Sequence, residues 1–209
     1  AQIDVNNNKL IGAEALIRWP SAPTHGMSPA TFIPIAEQVG LIIPLSKWVI
    51  ETACAHASAW QLNSSGSVPI AVNLSAMQFY QAQFTEYLIE ALQQQGLEPD
   101  AIELEITEST VMRDMQESLS IMKKLADKGF QMSIDDFGTG YSSLNYLKRF
   151  PVQKLKIDKS FIDHLEWDNK DAAIVRGVTQ LGHNLGMKVL AEGVETAGQY
   201  HFLRDEGCD

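Results

Sequence analysis

Seven polar residues occupy one recurring kind of position in this sequence, at or near the end of a short apolar run. Glu14 lies in the run Leu10–Ile17, with Arg18 four residues on, and Asn73 stands near the end of Val68–Leu74. Glu105 falls within Ile102–Thr107, with Glu108 just past it, and Asp135 and Asp136 follow Phe130–Ile134 directly. Lys156 is at the end of Val152–Ile157, followed by Asp158; Glu192 follows Met187–Ala191, with Glu195 beyond. Brought together, these residues make an oxygen-only donor set without Cys or His, which selects hard ions such as Mg²⁺ or Mn²⁺. Carboxylates that close repel one another strongly unless cations sit among them. Two ions roughly 3.5–4 Å apart can clamp the attacking and leaving oxygens of a phosphodiester displacement. Lys156 and Arg18 add cations for a phosphate. The expected chemistry is metal-assisted phosphodiester hydrolysis.

The six runs are short and β-branched, and Gln2–Val5 is a seventh strand candidate. Between them lie stretches with helical spacing. Ser28-Pro29 offers an N-cap with Pro at the first helical position, followed by a stripe of Phe32, Ile35, Ala36 and Val39. Leu45–Trp60 carries Trp48, Val49, Thr52, Ala53, His56 and Trp60 at three- and four-residue steps, which reads as a packed face. Phe84–Leu92, Met115–Leu125 and Ala172–Leu185 behave likewise and run into Gly96, Gly129 and Gly186, residues suited to helix C-termini. Strand–helix alternation predicts a parallel sheet covered by helices, either doubly wound or a (β/α) barrel. Both architectures build their sites at the carboxyl ends of the strands. Parallel neighbours would bring Glu14, Asn73, Glu105, Asp135, Asp136 and Glu192 to one mouth.

The chain has 209 residues, 45% hydrophobic and 20% charged, the balance of an ordinary globular domain. Its formal charge of −10 excludes bulk attraction to a nucleic-acid polymer or an anionic membrane. Two cysteines, Cys54 and Cys208, are too few for a disulfide framework. No run of ~20 apolar residues predicts a membrane span. The expected location is the cytoplasm, as a free domain or the cytoplasmic part of an anchored protein.

Each residue also has an ordinary structural reading. An acid after a strand can cap a helix, Asp135-Asp136-Phe137-Gly138 can be a plain turn, and Lys156 can be a snorkelling surface lysine. Asn73 can cap the helix that begins near Ser75, although Ser75 with Gln78 already makes a capping pair. What favours the chemical reading is the coincidence of all these residues at corresponding strand ends.

These residues also match a known pattern. The chain resembles the EAL domain family at Glu14-Ala15-Leu16, within Gly12-Ala13-Glu14-Ala15-Leu16-Ile17-Arg18-Trp19. The likeness continues at Asn73-Leu74-Ser75, Glu105-Ile106-Thr107-Glu108, Asp135 through Leu144, Lys156-Ile157-Asp158 and Glu192-Gly193-Val194-Glu195-Thr196. Each word is weak alone; six in order along nearly the whole chain are specific.

The resemblance implies a single domain over residues 1–209, a modified TIM (β/α)₈ barrel with one antiparallel strand. It implies a phosphodiesterase that linearises cyclic di-GMP to 5′-pGpG with two Mg²⁺ or Mn²⁺ ions. Glu14, Asn73, Glu105, Asp135 and Asp136 are similar to the family's metal ligands, with Asp135 bridging. Lys156 is similar to the lysine beside the attacking water, and Glu192 to a metal-site or general-base carboxylate. Leu16, Arg18, Asp158 and Glu195 fall where the family contacts substrate. Glu108 is similar to the residue that anchors the Asp-Asp-Phe-Gly loop. The Asp135–Leu144 loop and the following helix are similar to a homodimer interface. Flanking sensory or cyclase domains are expected, as are a longer first strand and a final β/α unit bearing a Gln-Gly pair. The competing expectation is a receptor that binds cyclic di-GMP without cutting it.

Overall fold

The computed structural model describes residues 1–20, 26–63, 68–140, 144–165 and 169–209. Seven strands form one sheet in sequence order. They are β1 (Gln2–Ile3), β2 (Leu10–Ala15), β3 (Ile70–Leu74), β4 (Ile102–Thr107), β5 (Gln131–Phe137), β6 (Lys154–Ile157) and β7 (Lys188–Ala191). β1 pairs antiparallel with β2, and every later pair is parallel. The result is an open (β/α) barrel with one antiparallel strand. Asp209 stands between its two outer strands: its N–H donates to Val189 O at 2.9 Å, and its carbonyl accepts from Val5 N at 3.2 Å.

Helices α1 (Pro29–Gln38) and α2 (Ile42–Asn63) lie between β2 and β3; α3 (Ala76–Phe79) and α4 (Phe84–Gln95) precede β4. α5 (Glu108–Arg113) and α6 (Met115–Asp127) follow β4, and α7 (Leu144–Leu147) follows β5. α8 (Lys159–Asp163) and α9 (Asn169–Asn184) follow β6, and α10 (Ala197–Asp205) follows β7. Their ends obey local chemistry. Gly96 closes α4 in the left-handed conformation, at φ 66°, which costs glycine nothing. Asp114 caps α6 through Gln116 N and Glu117 N, and Thr196 with Gln199 forms a capping box on α10.

The strands explain where the core lies. In β4, Ile102, Leu104 and Ile106 alternate with Glu103, Glu105 and Thr107. The apolar set faces the helices and packs with Leu88, Met122, Leu125 and Phe130 in the main hydrophobic cluster. The polar set turns to the inside of the barrel, where Glu103 and Glu105 are only 6% and 1% exposed. β6 repeats the arrangement with Leu155 and Ile157 outside, Lys154 and Lys156 inside.

Several expected boundaries shift. β5 runs on through Asp135 and Asp136 to Phe137, so the two acids lie within the strand rather than after it. The buried helical faces are narrower than the apolar stripes in the sequence. On α1, Phe32 and Ala36 are buried, whereas Ile35 and Val39 are exposed. On α2 the buried side is Ile50, Ala53, Cys54 and Ala57, while Trp48, His56 and Trp60 face outward. An apolar face wider than a single contact stripe cannot all reach one sheet. Ile35, Val39 and Trp48, with Trp19, line an apolar groove of about 710 Å³.

Candidate active site

The site is built on Lys156. Its Nζ lies 2.8 Å from Glu105 Oε2, 3.1 Å from Asp135 Oδ1, 2.5 Å from Glu192 Oε1 and 3.9 Å from Glu14 Oε2. The lysine side chain is fully buried, which rules out the snorkelling reading. Each acid comes from a different segment: β2, β4, β5 and the residue after β7. Asn73, on β3, donates from Nδ2 to Glu14 Oε1 at 2.7 Å. It is therefore not the cap of α3; that role belongs to Ser75, whose hydroxyl accepts from Gln78 N at 3.3 Å.

Parallel register sets these neighbours. Asn73 is the Cα partner of Glu105, and Glu105 is the partner of Ser133. On β5 the register slips between Ile134 and Phe137, and Asp136 adopts φ 54°. This bulge breaks the strict alternation of faces, so consecutive acids both serve the same end of the strand. Asp tolerates the left-handed conformation better than most residues. The Asp135 carboxylate accepts from Asp136 N at 3.0 Å, which ties the bulge to the site.

One ammonium faces more acid than it can neutralise. Burial alone would lower the Lys156 pKa, but Glu105, Asp135, Glu192 and Glu14 together hold it above the ordinary lysine value. Glu105 is pushed up to about 8 because burial, reinforced by Glu14 and Asp135, outweighs Lys156. Asp136 is raised to about 6 by burial, then by Asp135 and Asp158. Burial raises Glu192 as well. Lys156 is thus a central cation that the protein itself supplies among these acids. Among the described residues, no three acidic, histidine or cysteine side chains form a ready metal cage.

The residues nonetheless fit hard divalent ions. The Oε1 of Glu105 is buried without a partner while its Oε2 meets only Lys156, and the set offers oxygen donors only. Adding positive charge where acids outnumber one lysine relieves the repulsion that raises their pKa values. Glu14, Asn73, Glu105, Asp135 and Asp136 are the residues that could hold such ions.

The remaining expected residues surround this centre. Glu108, 1% exposed, accepts from Gly138 N at 3.0 Å, and a Cβ on Gly140 would stand 3.0 Å from its Oε1. The loop after β5 is therefore packed against this carboxylate; its residues 141–143, part of the expected dimer contact, lie outside the described residues. Asp158 caps α8, accepting from Ser160 N at 3.1 Å. Glu195 is exposed and pairs with Lys159 at 2.6 Å. Leu16 is exposed, and the Arg18 guanidinium donates to Ile17 O at 2.8 Å. Leu16 and Glu14 also line a cavity of about 640 Å³ that reaches Glu192 and Gly193. Sequence reasoning missed a second buried group below the site, Lys154 with Glu103 and Gln2. The paired alternations Glu-x-Glu in β4 and Lys-x-Lys in β6 were its signal.

An open (β/α) barrel with one antiparallel strand and an acidic mouth closed around a buried lysine defines the class of protein. The EAL domain family profile matches residues 1–209, and the chain belongs to that family. It is 48% identical over 204 residues to the bifunctional diguanylate cyclase/cyclic di-GMP phosphodiesterase MucR of Pseudomonas aeruginosa, covering 97% of this chain and 30% of that protein. Against the signalling protein YkoW of Bacillus subtilis it is 41% identical over 208 residues, covering 100% of this chain and 26% of the relative. A solved structure described as the PaMucR phosphodiesterase in complex with c-di-GMP superposes with TM-score 0.96 at 46% identity, covering 100% of this chain and 84% of that one. No described helix is long and apolar enough to cross a membrane.

Proposed function

We propose that this domain is a cyclic di-GMP phosphodiesterase that opens one phosphodiester to give linear 5′-pGpG. The observation that carries the reading is the convergence of Glu14, Glu105, Asp135 and Glu192 on Lys156, with Asn73 bonded to Glu14. The likeness to MucR, whose solved structure is described as a c-di-GMP complex, supplies the substrate class. Glu14, Asn73, Glu105, Asp135 and Asp136 would hold two Mg²⁺ or Mn²⁺ ions. When bound, such ions lower the pKa of a water and offset charge on a phosphodiester.

The chain's own residues then divide the work. Lys156 keeps its proton and fixes a positive charge at the floor of the mouth, orienting the attacking water. Glu192 is the most exposed of the acids against Lys156, at 27% of its side chain, and is the group placed to accept that water's proton. The water oxygen bonds to phosphorus, the bond to the 3′-oxygen breaks, and that oxygen takes a proton from solvent. Arg18 exchanges its weak backbone contact for the substrate phosphate, with Leu16, Asp158 and Glu195 along the rim. Glu108 holds the loop that follows Asp135 and Asp136.

The test is hydrolysis of cyclic di-GMP with Mg²⁺ or Mn²⁺, comparing the parent with Glu14→Ala. The parent forms pGpG and the variant does not. Tight binding without pGpG from the parent would make the domain a receptor instead. By family likeness the domain works beside cyclase or sensory domains and pairs with a second copy through the loop after β5. Leu144, 58% exposed at the start of α7, marks that face. Sedimentation equilibrium should show a dimer that Leu144→Glu dissociates; a monomer at every concentration would contradict the pairing.

A further inference from the structure

Directly beneath the mouth lies a second ion pair that the proposed chemistry does not use. Lys154 Nζ donates to Glu103 Oε2 at 2.7 Å and to Gln2 Oε1 at 2.9 Å. Gln2 and Glu103 are 5% and 6% exposed, so the group is enclosed. Gln2 fits because its strand partner is Gly12: a Cβ there would stand 2.7 Å from Gln2 Oε1.

The arrangement repeats the active layer one step down. Glu103 and Glu105 share the inner face of β4, and Lys154 and Lys156 share that of β6. Residues two apart on a strand stand roughly 6.6 Å from each other. β4 and β6 are not neighbours, because β5 lies between them. Each lysine therefore reaches across β5, Lys154 over the level of Ser133 and Lys156 over that of Asp135. A buried ion pair is weak evidence for stability, since apolar residues of similar volume often replace one at no cost. A fixed pairing across two non-adjacent strands does set their spacing.

We infer that Lys154 and Glu103, seconded by Gln2, are positioning residues that hold β4 and β6 at the separation at which Lys156 meets Glu105. This rests on the phosphodiesterase reading for its kinetic consequence only. Misplacing a catalytic group by 1 Å can cost on the order of 10²-fold in rate, so loss of the brace should appear in kcat more than in KM.

The deciding comparison uses the whole domain with two double variants, Lys154→Met with Glu103→Met and Lys154→Glu with Glu103→Lys. Four quantities are measured: melting temperature, kcat and KM for cyclic di-GMP, and the dissociation constant for Mn²⁺ alone. The apolar pair should keep its fold but lose about tenfold in kcat and weaken Mn²⁺ about tenfold, the scale seen when groups supporting metal ligands are removed, with KM little changed. The reversed pair restores the contact and should recover most of both losses. An apolar pair with parental kcat and Mn²⁺ affinity overturns the inference, as does a reversed pair no better than the apolar one. If the apolar pair does not fold, the reversed pair decides: near-parental values support the brace and tenfold losses overturn it. Should the parent bind Mn²⁺ yet cleave nothing, the phosphodiesterase reading fails, and the Mn²⁺ affinities still judge the brace.

Discussion

Lys156 and Glu105 meet 2.8 Å apart at the centre of the barrel with neither side chain exposed to solvent. The two belong to strands separated by a third, so the contact crosses the sheet rather than following it. Around it stand Asp135, Glu192 and Glu14, all drawing on the same ammonium. The acids outnumber the lysine, which leaves a negative excess that a bound cation or a retained proton must balance. That imbalance is what divalent ions would relieve, and it underlies the first two expectations below.

Removing the central charge should be severe. Lys156→Met keeps the stem but leaves the surrounding carboxylates without their shared cation. Breaking a buried pair from one side typically costs about 3–5 kcal/mol. Metal-free thermal unfolding should therefore shift sharply downward, and hydrolysis should be abolished even at saturating Mn²⁺. A variant melting at the parental temperature would mean that Lys156 does not neutralise these acids.

The metal-free domain should lose stability as pH rises. Glu105 is raised to about 8 and Asp136 to about 6 in the folded state, against roughly 4.3 and 3.9 for unfolded carboxyls. Between those limits the folded chain binds more protons than the unfolded one, so stability falls with increasing pH. The advantage is fully present below about pH 4 and is gone above about pH 8. Melting curves in EDTA from pH 5 to 8 check this. Added Mg²⁺ or Mn²⁺ should stabilise more at pH 8 than at pH 5.5, because binding displaces the retained proton. A melting temperature that climbs across this range in EDTA would contradict the account.

Glu108 does its work through Gly138. Glu108→Ala removes the acceptor of the Gly138 N–H, which costs about 0.5–1.5 kcal/mol for the lost hydrogen bond. It also frees the loop that directly follows Asp135 and Asp136, so activity or metal affinity should drop roughly 10–100-fold. Glu108→Gln retains an acceptor and should lose less of both. Mn²⁺ titration of the three proteins ranks them directly; equal affinities would show that the loop needs no anchor.

Two glycines of α9 separate packing from helix propensity. A Cβ on Gly182 would collide with Val189 Cγ2, whereas Gly177 faces open space. Gly177→Ala should stabilise by about 0.5–1 kcal/mol, the ordinary gain in a helix. Gly182→Ala should instead destabilise, as overpacking of about 1–3 kcal/mol exceeds that gain. Urea unfolding of both variants provides the comparison.

Much of this was readable from residue order, for definite reasons. Apolar runs alternating with helical spacing demand a helix-covered sheet, and side-chain type alone limits an oxygen-only set to hard cations. Glycines after α4 and before β7 mark chain reversals, because few other residues adopt those backbone angles. What remained hidden was orientation. Ile-Glu-Leu-Glu-Ile-Thr and Lys-Leu-Lys-Ile carry the alternation of strands with one wet face, yet here the polar face is enclosed. Only the meeting of seven strands around a common interior decides that Glu105 and Lys156 lose their water and face each other. A bulge at Asp135 and Asp136, the outward turn of Trp48 and Trp60, and the lower pair of Lys154 with Glu103 depend equally on contacts between segments distant in the chain. Local order determines which groups a strand offers; their company, and therefore their charge, is settled by packing.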